Sequence, residues 1–350
     1  MIKYLGSKRL LVGVLGEIAT SVGARTAADL FTGTTRVAQE LKRRGLEVTA
    51  SDVATYSEVL GQTYISTDAD AVDQRALAEA LEHLDGLPGE PGYVTETFCE
   101  RSRFFQRHNG SRIDAIRHAI DCEYAASPLR PILLTSLLDA ADRVDSTTGL
   151  QMAYLKDWAP RSFDELRLRV PELIAGTGRT IRGDAREVAR GLPRVDLAYL
   201  DPPYNQHRYF TNYHVWETLI RWDRPDHYGV ACKRVDARED ATKSVFNRKR
   251  EMPAALRELI LSIDAEVVVL SYNDESWVRP EELSGWLREA GHEQAGVLAF
   301  DSKRYVGAQI GVYNPAGERV GTPTRLRNTE LVFVAGPAER VAAAMRLRRE

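Results

Sequence analysis

The stretch YLDPPYNQHRYFTNYH, residues 199–214, places Asp201, Pro202, Pro203 and Tyr204 directly after the apolar run VDLAYL at 195–200. Two prolines bring no amide donors and fix φ, so the chain turns rigidly and its carbonyls stay free to accept. The set is one carboxylate, one or two fixed carbonyls and a flat aromatic face. It suits an exocyclic amino group on a flat heterocycle. Such an amine is a poor nucleophile, because its lone pair is delocalised into the ring. Two acceptors holding its two N–H bonds favour the pyramidal nitrogen, whose lone pair then attacks an electrophile. Stacking on the aromatic ring fixes the plane of the base and contributes about 1–3 kcal/mol. In this chemistry Asp201 positions and polarises, the electrophile is a methyl group activated by positive charge, and no metal is needed. A bare D-P-P is also an ordinary strand-ending turn; the preceding apolar strand and the following Tyr204 make the full D-P-P-Y far more specific.

The elements that must hold these groups are legible around them. TAADLF, 26–31, reads as a buried strand leading into a glycine turn. In TRVAQELKRRG, Val37 and Leu41 share a helical face and Gly45 can close the helix. LEVTASD, 46–52, is a second strand, and strand–helix–strand opens a parallel α/β sheet. From about 66 to 179 the pattern turns helical, in AVDQRALAEALEHL, RIDAIRHAIDCEYA and PILLTSLLDAADRV, with the turn-rich break GLPGEPG at 86–92. Strands return at VDLAYL, at EVVVLSYN (266–273), near HEQAGVLAF (292–300) and at TELVFVA (329–335). The fold class is therefore α/β, a sheet interrupted by a helical insertion. Open parallel sheets bind ligands outside the carboxyl ends of their strands, which is where Asp201 falls.

At 350 residues the chain suits one large domain with an insertion. It has 43% hydrophobic and 28% charged residues, ordinary for a soluble globular protein, with no apolar run of membrane-spanning length and no signal-peptide core. Three scattered cysteines, Cys99, Cys122 and Cys232, and seven histidines without ligand spacing argue against a disulfide framework or zinc site and fit a reducing cytoplasm. The net charge of -3 hides segregation. Residues 101–118 carry five Arg against one Asp, and residues 233–250 seven Lys or Arg against three acids, whereas 66–86 has six acids and one Arg. Basic segments on an acidic background suit a polyanion held on one face, solvated helix surface being the plainer alternative.

DPPY with DLFTG far upstream resembles the S-adenosylmethionine-dependent amino methyltransferases. The order YLGSK, DLFTG, helical insertion, DPPY is similar to that of the Dam-like adenine-N6 DNA methyltransferases. NGSRIDAIRHAI (109–120), DSTTGLQMAYLKDW (145–158) and YFTNYHVWETL (209–219) resemble segments of the restriction–modification type. The resemblance spans most of the chain and implies a Rossmann-like methyltransferase sheet. Residues 1–65 and 180–350 would form the S-adenosylmethionine-binding catalytic domain, and 66–179 a mostly helical target-recognition domain. It implies methyl transfer from S-adenosylmethionine to N6 of an adenine flipped out of duplex DNA, with a restriction endonuclease as a possible functional counterpart. Cytosine N4, adenine in RNA, and a catalytically silent DNA-binding relative stay open as alternatives.

Carried over residue by residue, Asp201, the Pro202 carbonyl and Tyr204 would hold the adenine. Asp29, Phe31 and Gly33 would shape the cofactor pocket, Asp52 would bind ribose hydroxyls, and Asp184 would meet the cofactor's adenine amino group. Tyr4, Gly6 and Lys8 match the N-terminal cofactor motif, Lys8 as partner of the methionine carboxylate. Each has a plainer rival: Asp52 as a turn former, Lys8 as a surface charge, Asp184 as a helix N-cap. One departure stands out: where relatives often show F-x-G-x-G, this chain has Thr35 for the second glycine. That restricts close backbone approach, although Thr34 or Thr35 could cap the next helix. On the DNA side, Lys243, Arg248, Lys249 and Arg250 are expected on a mobile loop that closes on the backbone. Arg101, Arg103, Arg107 and Arg112 are expected to contact phosphate or guanine. Phe104 and Phe105 read as core in preference to a wedge.

Overall fold

The computed structural model describes residues 2–4, 8, 10–203, 208–274, 276–303, 312–313, 319–321 and 327–347. Their strands are β1 Thr26–Asp29, β2 Glu47–Asp52, β3 Gly178–Arg182, β4 Val195–Leu200, β5 His227–Tyr228, β6 Lys233–Arg234, β7 Ala265–Asn273, β8 Gln294–Lys303, β9 Val312–Tyr313, β10 Arg319–Gly321 and β11 Arg327–Gly336. Among the described residues one sheet has seven strands in the order β3-β2-β1-β4-β7-β11-β8, and β5-β6 and β9-β10 form short pairs. This is the expected Rossmann-like α/β sheet. Strand order reverses at β1 and β4, the switch point where such sheets bind ligands. The chain divides into two compact units: 1–9, 32–184 and 207–244 in the first, 10–31, 185–206 and 245–350 in the second.

In the second unit β1 runs parallel to β4, with Asp29 opposite Tyr199, and β4 parallel to β7. β11 is antiparallel to both β7 and β8. Val267, Val268, Val269 and Leu270 are fully buried, the continuous apolar run of a strand covered on both faces. The entry edge is fastened by Asp196, whose Oδ2 accepts the N–H groups of Arg25 (2.8 Å) and Thr26 (2.9 Å). The Val12–Ser21 helix precedes β1, an element whose weak periodicity gave no signal in the sequence.

In the first unit β2 and β3 are parallel, Val48 to Asp52 pairing with Gly178 to Arg182. GRTIR, mostly polar and only half-buried, went unread as a strand because an edge strand lacks the apolar run. The helices Gln74–Asp85, Arg107–Glu123 and Arg130–Val144 coincide with the three expected periodic stretches. Asp73 caps the first by accepting the Ala76 N–H at 3.0 Å. Phe98, Phe104 and Phe105 are buried, so the adjacent phenylalanines are core. Gly110 lies in the first turns of Arg107–Glu123, where an added Cβ would sit 2.1 Å from Cys99 Sγ; only glycine permits that approach. Of the cysteines, Cys99 is half-buried, Cys122 exposed and Cys232 buried, all as free thiols. Among the described residues no helix is long and apolar enough to cross a membrane.

Candidate active site

The turn after β1 closes on the end of β2. In the first unit the Thr32 N–H donates to Ser51 O (3.0 Å) and the Gly33 N–H to Asp52 Oδ2 (2.9 Å), while Ala54 N–H donates to Asp52 Oδ1 (3.0 Å). Asp52 is thus gripped on both oxygens by backbone amides. Burial pushes its carboxyl above the ordinary value, and the amides of Ala54 and Gly33 oppose the shift. Gly33 has a left-handed φ of 51°, and a Cβ there would meet the Tyr4 ring at 3.0 Å. Tyr4 stacks on Tyr213 (4.6 Å between centroids) and Tyr209 (5.5 Å) and lies edge-on to Tyr56, with the two hydroxyls 3.3 Å apart. Burial foremost raises the Tyr4 and Tyr56 phenols well above their usual range, so both are neutral. Lys8 is buried, not a surface charge. Asp184 stands immediately before the Ala185–Gly191 helix, and the adjoining Gly183 N–H donates to Asp52 O at 3.0 Å.

Thr35 does not cap the following helix with its side chain. It occupies the N-cap position of Arg36–Arg43 at φ 63°, a left-handed conformation normally left to glycine, and makes no side-chain cap bond. Its buried hydroxyl instead donates to Thr34 O (2.7 Å) and accepts from Gln39 Nε2 (2.8 Å). The turn therefore keeps the backbone that a second glycine would adopt, held against its strain by these two bonds.

In the second unit Asp29 ends β1, is buried, and lies within 3.4 Å of the Phe31 N–H through Oδ1. Phe31 meets Phe246 edge-on at 5.1 Å. Leu30 N–H donates to Tyr199 O (3.3 Å), continuing the β1–β4 pairing past the strand end. Asp201 and Pro202 follow β4 directly, Asp201 half-buried and Pro202 buried. Asp29 and Asp201 thus leave the carboxyl ends of neighbouring parallel strands. Tyr204 and Gly6 lie outside the described residues.

Three segments singled out for their resemblance turn out to brace the site residues of the first unit through buried polar side chains. Glu217 accepts from Thr55 N–H (3.0 Å) and Thr55 Oγ1–H (2.6 Å), capping the Thr55–Gly61 helix that carries Tyr56. Gln151 Oε1 accepts the Val215 N–H (2.9 Å), and Gln151 O sits 2.9 Å from His214 Nε2, which must carry the proton. Burial brings His214 down to about 3, so it is neutral. Arg117, fully buried, donates to the carbonyls of Leu219 (2.7 Å) and Ile220 (3.0 Å) at the end of the His214–Arg221 helix. Sequence reasoning missed Arg117, Gln151 and Glu217 as positioning groups. For Arg117 and Glu217 the available signal was a charged residue inside an otherwise apolar helical face; Gln151, in a turn, carried none.

The basic residues divide by how they are held. Arg112 donates to Asp85 O (2.6 Å) and is mostly covered, Arg103 donates to Lys156 O (2.6 Å) and lies over the Trp158 ring, and Arg101 and Arg107 pair with Glu96 and Glu100. Segment 233–250 is built of β6 and short 3-10 turns rather than an open loop. Its Arg234 is buried between Asp223 and Asp236. Lys243 pairs with Asp240 (2.7 Å) and Arg248 with Glu251 (3.1 Å), whereas Lys249 and Arg250 are exposed.

The seven-strand, mostly parallel sheet is that of the Rossmann-like methyltransferases. Residues 4–285 match the family described as D12 class N6 adenine-specific DNA methyltransferase, and the chain belongs to that family. It is 30% identical over 317 residues to the type II methyltransferase M.CviAII of Paramecium bursaria Chlorella virus 1, covering 87% of this chain and 92% of the relative. To the type II methyltransferase M.NlaIII of Neisseria lactamica it is 29% identical over 288 residues, covering 78% and 83%. To the modification methylase StsI of Streptococcus sanguinis it is 28% identical over 305 residues, 82% of this chain, and there it spans 46%, about half, of the relative's length.

Proposed function

We propose that the chain transfers a methyl group from S-adenosylmethionine to the exocyclic N6 of an adenine extruded from duplex DNA. The observation that carries this reading is Asp201-Pro202 leaving the carboxyl end of β4 at the switch point of the sheet, beside Asp29. Asp201 and the Pro202 carbonyl accept the two N–H bonds of the amine and draw the nitrogen toward a pyramid, while Tyr204 stacks on the base. No proton need leave before attack.

The residues present suit the methyl donor. Asp52 offers a carboxylate at the end of β2 for ribose hydroxyls, and Gly33 lets the turn pack against the Tyr4 ring where a Cβ would not fit. Tyr4, Gly6, Lys8, Asp29, Phe31, Gly33, Asp52 and Asp184 are the proposed cofactor residues. Bound S-adenosylmethionine supplies a methyl carbon on a cationic sulfur. Lys8 would neutralise its carboxylate, and Asp184 would accept from its adenine amine.

Extruding a base costs a few kcal/mol, which phosphate contacts must offset. The helical segment 66–179 is proposed to read the target, and Arg101, Arg103, Arg107, Lys243, Arg248, Lys249 and Arg250 to meet the backbone. Arg112 belongs to this set only if it releases Asp85. As in type II systems, a restriction endonuclease is the proposed functional counterpart.

Mass spectrometry of nucleosides from DNA incubated with the protein and S-adenosylmethionine tests the reading, beside Asp201→Ala. N6-methyladenine from the wild type is expected, with a loss of about three orders of magnitude in the variant and near-normal folding and DNA binding. Retained turnover in the variant would sink the mechanism. N4-methylcytosine, or product from RNA alone, would reassign the substrate.

A further inference from the structure

The first unit holds another concave feature, and none of the residues placed above in the catalytic or DNA-contacting set lines it. A cavity of about 180 Å³ is bounded by Arg36, Arg43, Arg143 and Arg169, with Asp139 and Glu172 as its acids. Four guanidinium groups against two carboxylates leave an excess of two positive charges. The four arginines come from three separate places in the chain: Arg36 and Arg43 from the Arg36–Arg43 helix, Arg143 from Arg130–Val144, and Arg169 from the extended segment beyond it. Like charges gathered from distant segments repel, so the fold places them together against an electrostatic cost.

Three of the four, Arg43, Arg143 and Arg169, use few of their donors within the chain. A guanidinium carries five N–H bonds. Arg43 gives one to Gln39 Oε1 (3.3 Å) and faces Glu172 at 3.7 Å, and Arg143 gives one to Arg167 O (3.2 Å). The Arg169 guanidinium has no hydrogen-bond or ion-pair partner among the described residues. Glu172 is a weak neutraliser, because its side chain is 84% exposed. Tyr64 also lines the cavity and stays protonated, burial above all raising its phenol, so it offers a further O–H donor. The Arg143 guanidinium is drawn down from its ordinary value, first by burial, with the like charge of Arg169 acting in the same direction.

The geometry points to a phosphate-binding site, formed by Arg36, Arg43, Arg143 and Arg169, that takes a single tetrahedral phosphate group. Forked guanidinium donors match phosphate oxygens two at a time. The volume suits one phosphate with its ester carbons and falls short of the roughly 300 Å³ at which drug-sized ligand pockets begin. The group can come from a DNA backbone or from free phosphate. The first source rests on the DNA substrate proposed above; the second does not. Thr34 lines the same cavity and accepts the Thr35 hydroxyl, so one wall is the glycine turn itself.

Titration of the full chain with inorganic phosphate, in chloride buffer and followed by calorimetry, tests the site. Saturable binding is expected, weakened about tenfold or more in the double variant Arg143→Gln, Arg169→Gln. Glu172→Gln, at an exposed position, should tighten it about two- to fivefold by removing the competing acid. Thermal unfolding of each variant checks that the fold is kept, and the gain-of-affinity variant keeps the test sharp if the double variant unfolds. The salt dependence of binding to a short duplex separates the sources. A slope reduced by about 0.9 in the double variant places a DNA phosphate in the cavity. An unchanged slope with arginine-dependent phosphate binding supports the site with free phosphate as its ligand. No duplex binding by the wild type, with phosphate binding intact, would overturn the DNA reading and leave the site standing. No phosphate binding by the wild type and one salt slope for all variants would overturn the site.

Discussion

Thr35 shows how a single residue can hold a backbone that its own side chain disfavours. A β-branched residue at positive φ carries about 1–2 kcal/mol of strain, and here the hydroxyl bonds to Thr34 O and Gln39 Nε2 oppose it. Thr35→Val keeps the shape and the strain but strands the buried Gln39 donor. It should destabilise the fold by about 1–3 kcal/mol, read from the shift in denaturant midpoint. Thr35→Gly removes both the strain and the bonds and should change stability by less than about 1 kcal/mol. A similar loss in both variants would show that the backbone strain contributes little and that the hydroxyl bonds alone set the cost. The departure from F-x-G-x-G was visible in the sequence. That the turn would nevertheless adopt the glycine conformation was not, because it depends on Gln39 four residues away in the next helix.

At the scale of elements, the N-terminal strip carrying Tyr4 is fastened to the Arg130–Val144 helix. Lys3 N–H donates to Asp142 Oδ2 (3.0 Å), and Lys3 Nζ lies 3.1 Å from Asp142 and 3.2 Å from Asp145, which Arg161 also grips at 2.6 Å. Burial, opposed by Lys3 and assisted by Asp145, raises the Asp142 carboxyl from 3.8 to about 6. A raised folded-state value means that the proton binds the folded chain more tightly. The resulting stabilisation is complete below pH 3.8 and is lost as pH rises to about 6. Unfolding measured across that window should show this decline in the wild type, and Asp142→Asn should flatten it; an identical profile in both would exclude the assignment. The helices Arg36–Arg43, Gln74–Asp85, Arg107–Glu123 and Arg130–Val144 were legible from periodicity, and the central strands β4 and β7 from their continuous apolar runs. The ties between elements were not. Lys3 with Asp142, and Arg117 with the Leu219 carbonyl, join residues more than a hundred positions apart, and a single sequence carries no mark of such pairs.

For the whole molecule, a net charge of -3 conceals which basic residues remain available to a polyanion. Arg234 is enclosed by Asp223 and Asp236, and Lys243 and Arg248 have acidic neighbours in their own turns. Lys249 and Arg250 should therefore carry most of the electrostatic work of segment 233–250. Neutralising these two is expected to lower the salt slope of DNA binding by up to about 1.8, at roughly 0.9 per phosphate contact. Neutralising Lys243 and Arg248 should change it less. The reverse ranking would mean that DNA displaces the acidic partners. The charge asymmetry was readable from composition, but its division into held and available charge needed the folded chain.

The three thiols offer an experimental handle. Burial pushes Cys99 up to about 12 and also raises Cys232, which is covered, while Cys122 is exposed on the Arg107–Glu123 helix. A maleimide fluorophore at neutral pH should therefore attach at Cys122 in strong preference to the other two. The native chain would then report optically from the helical segment while DNA is titrated in.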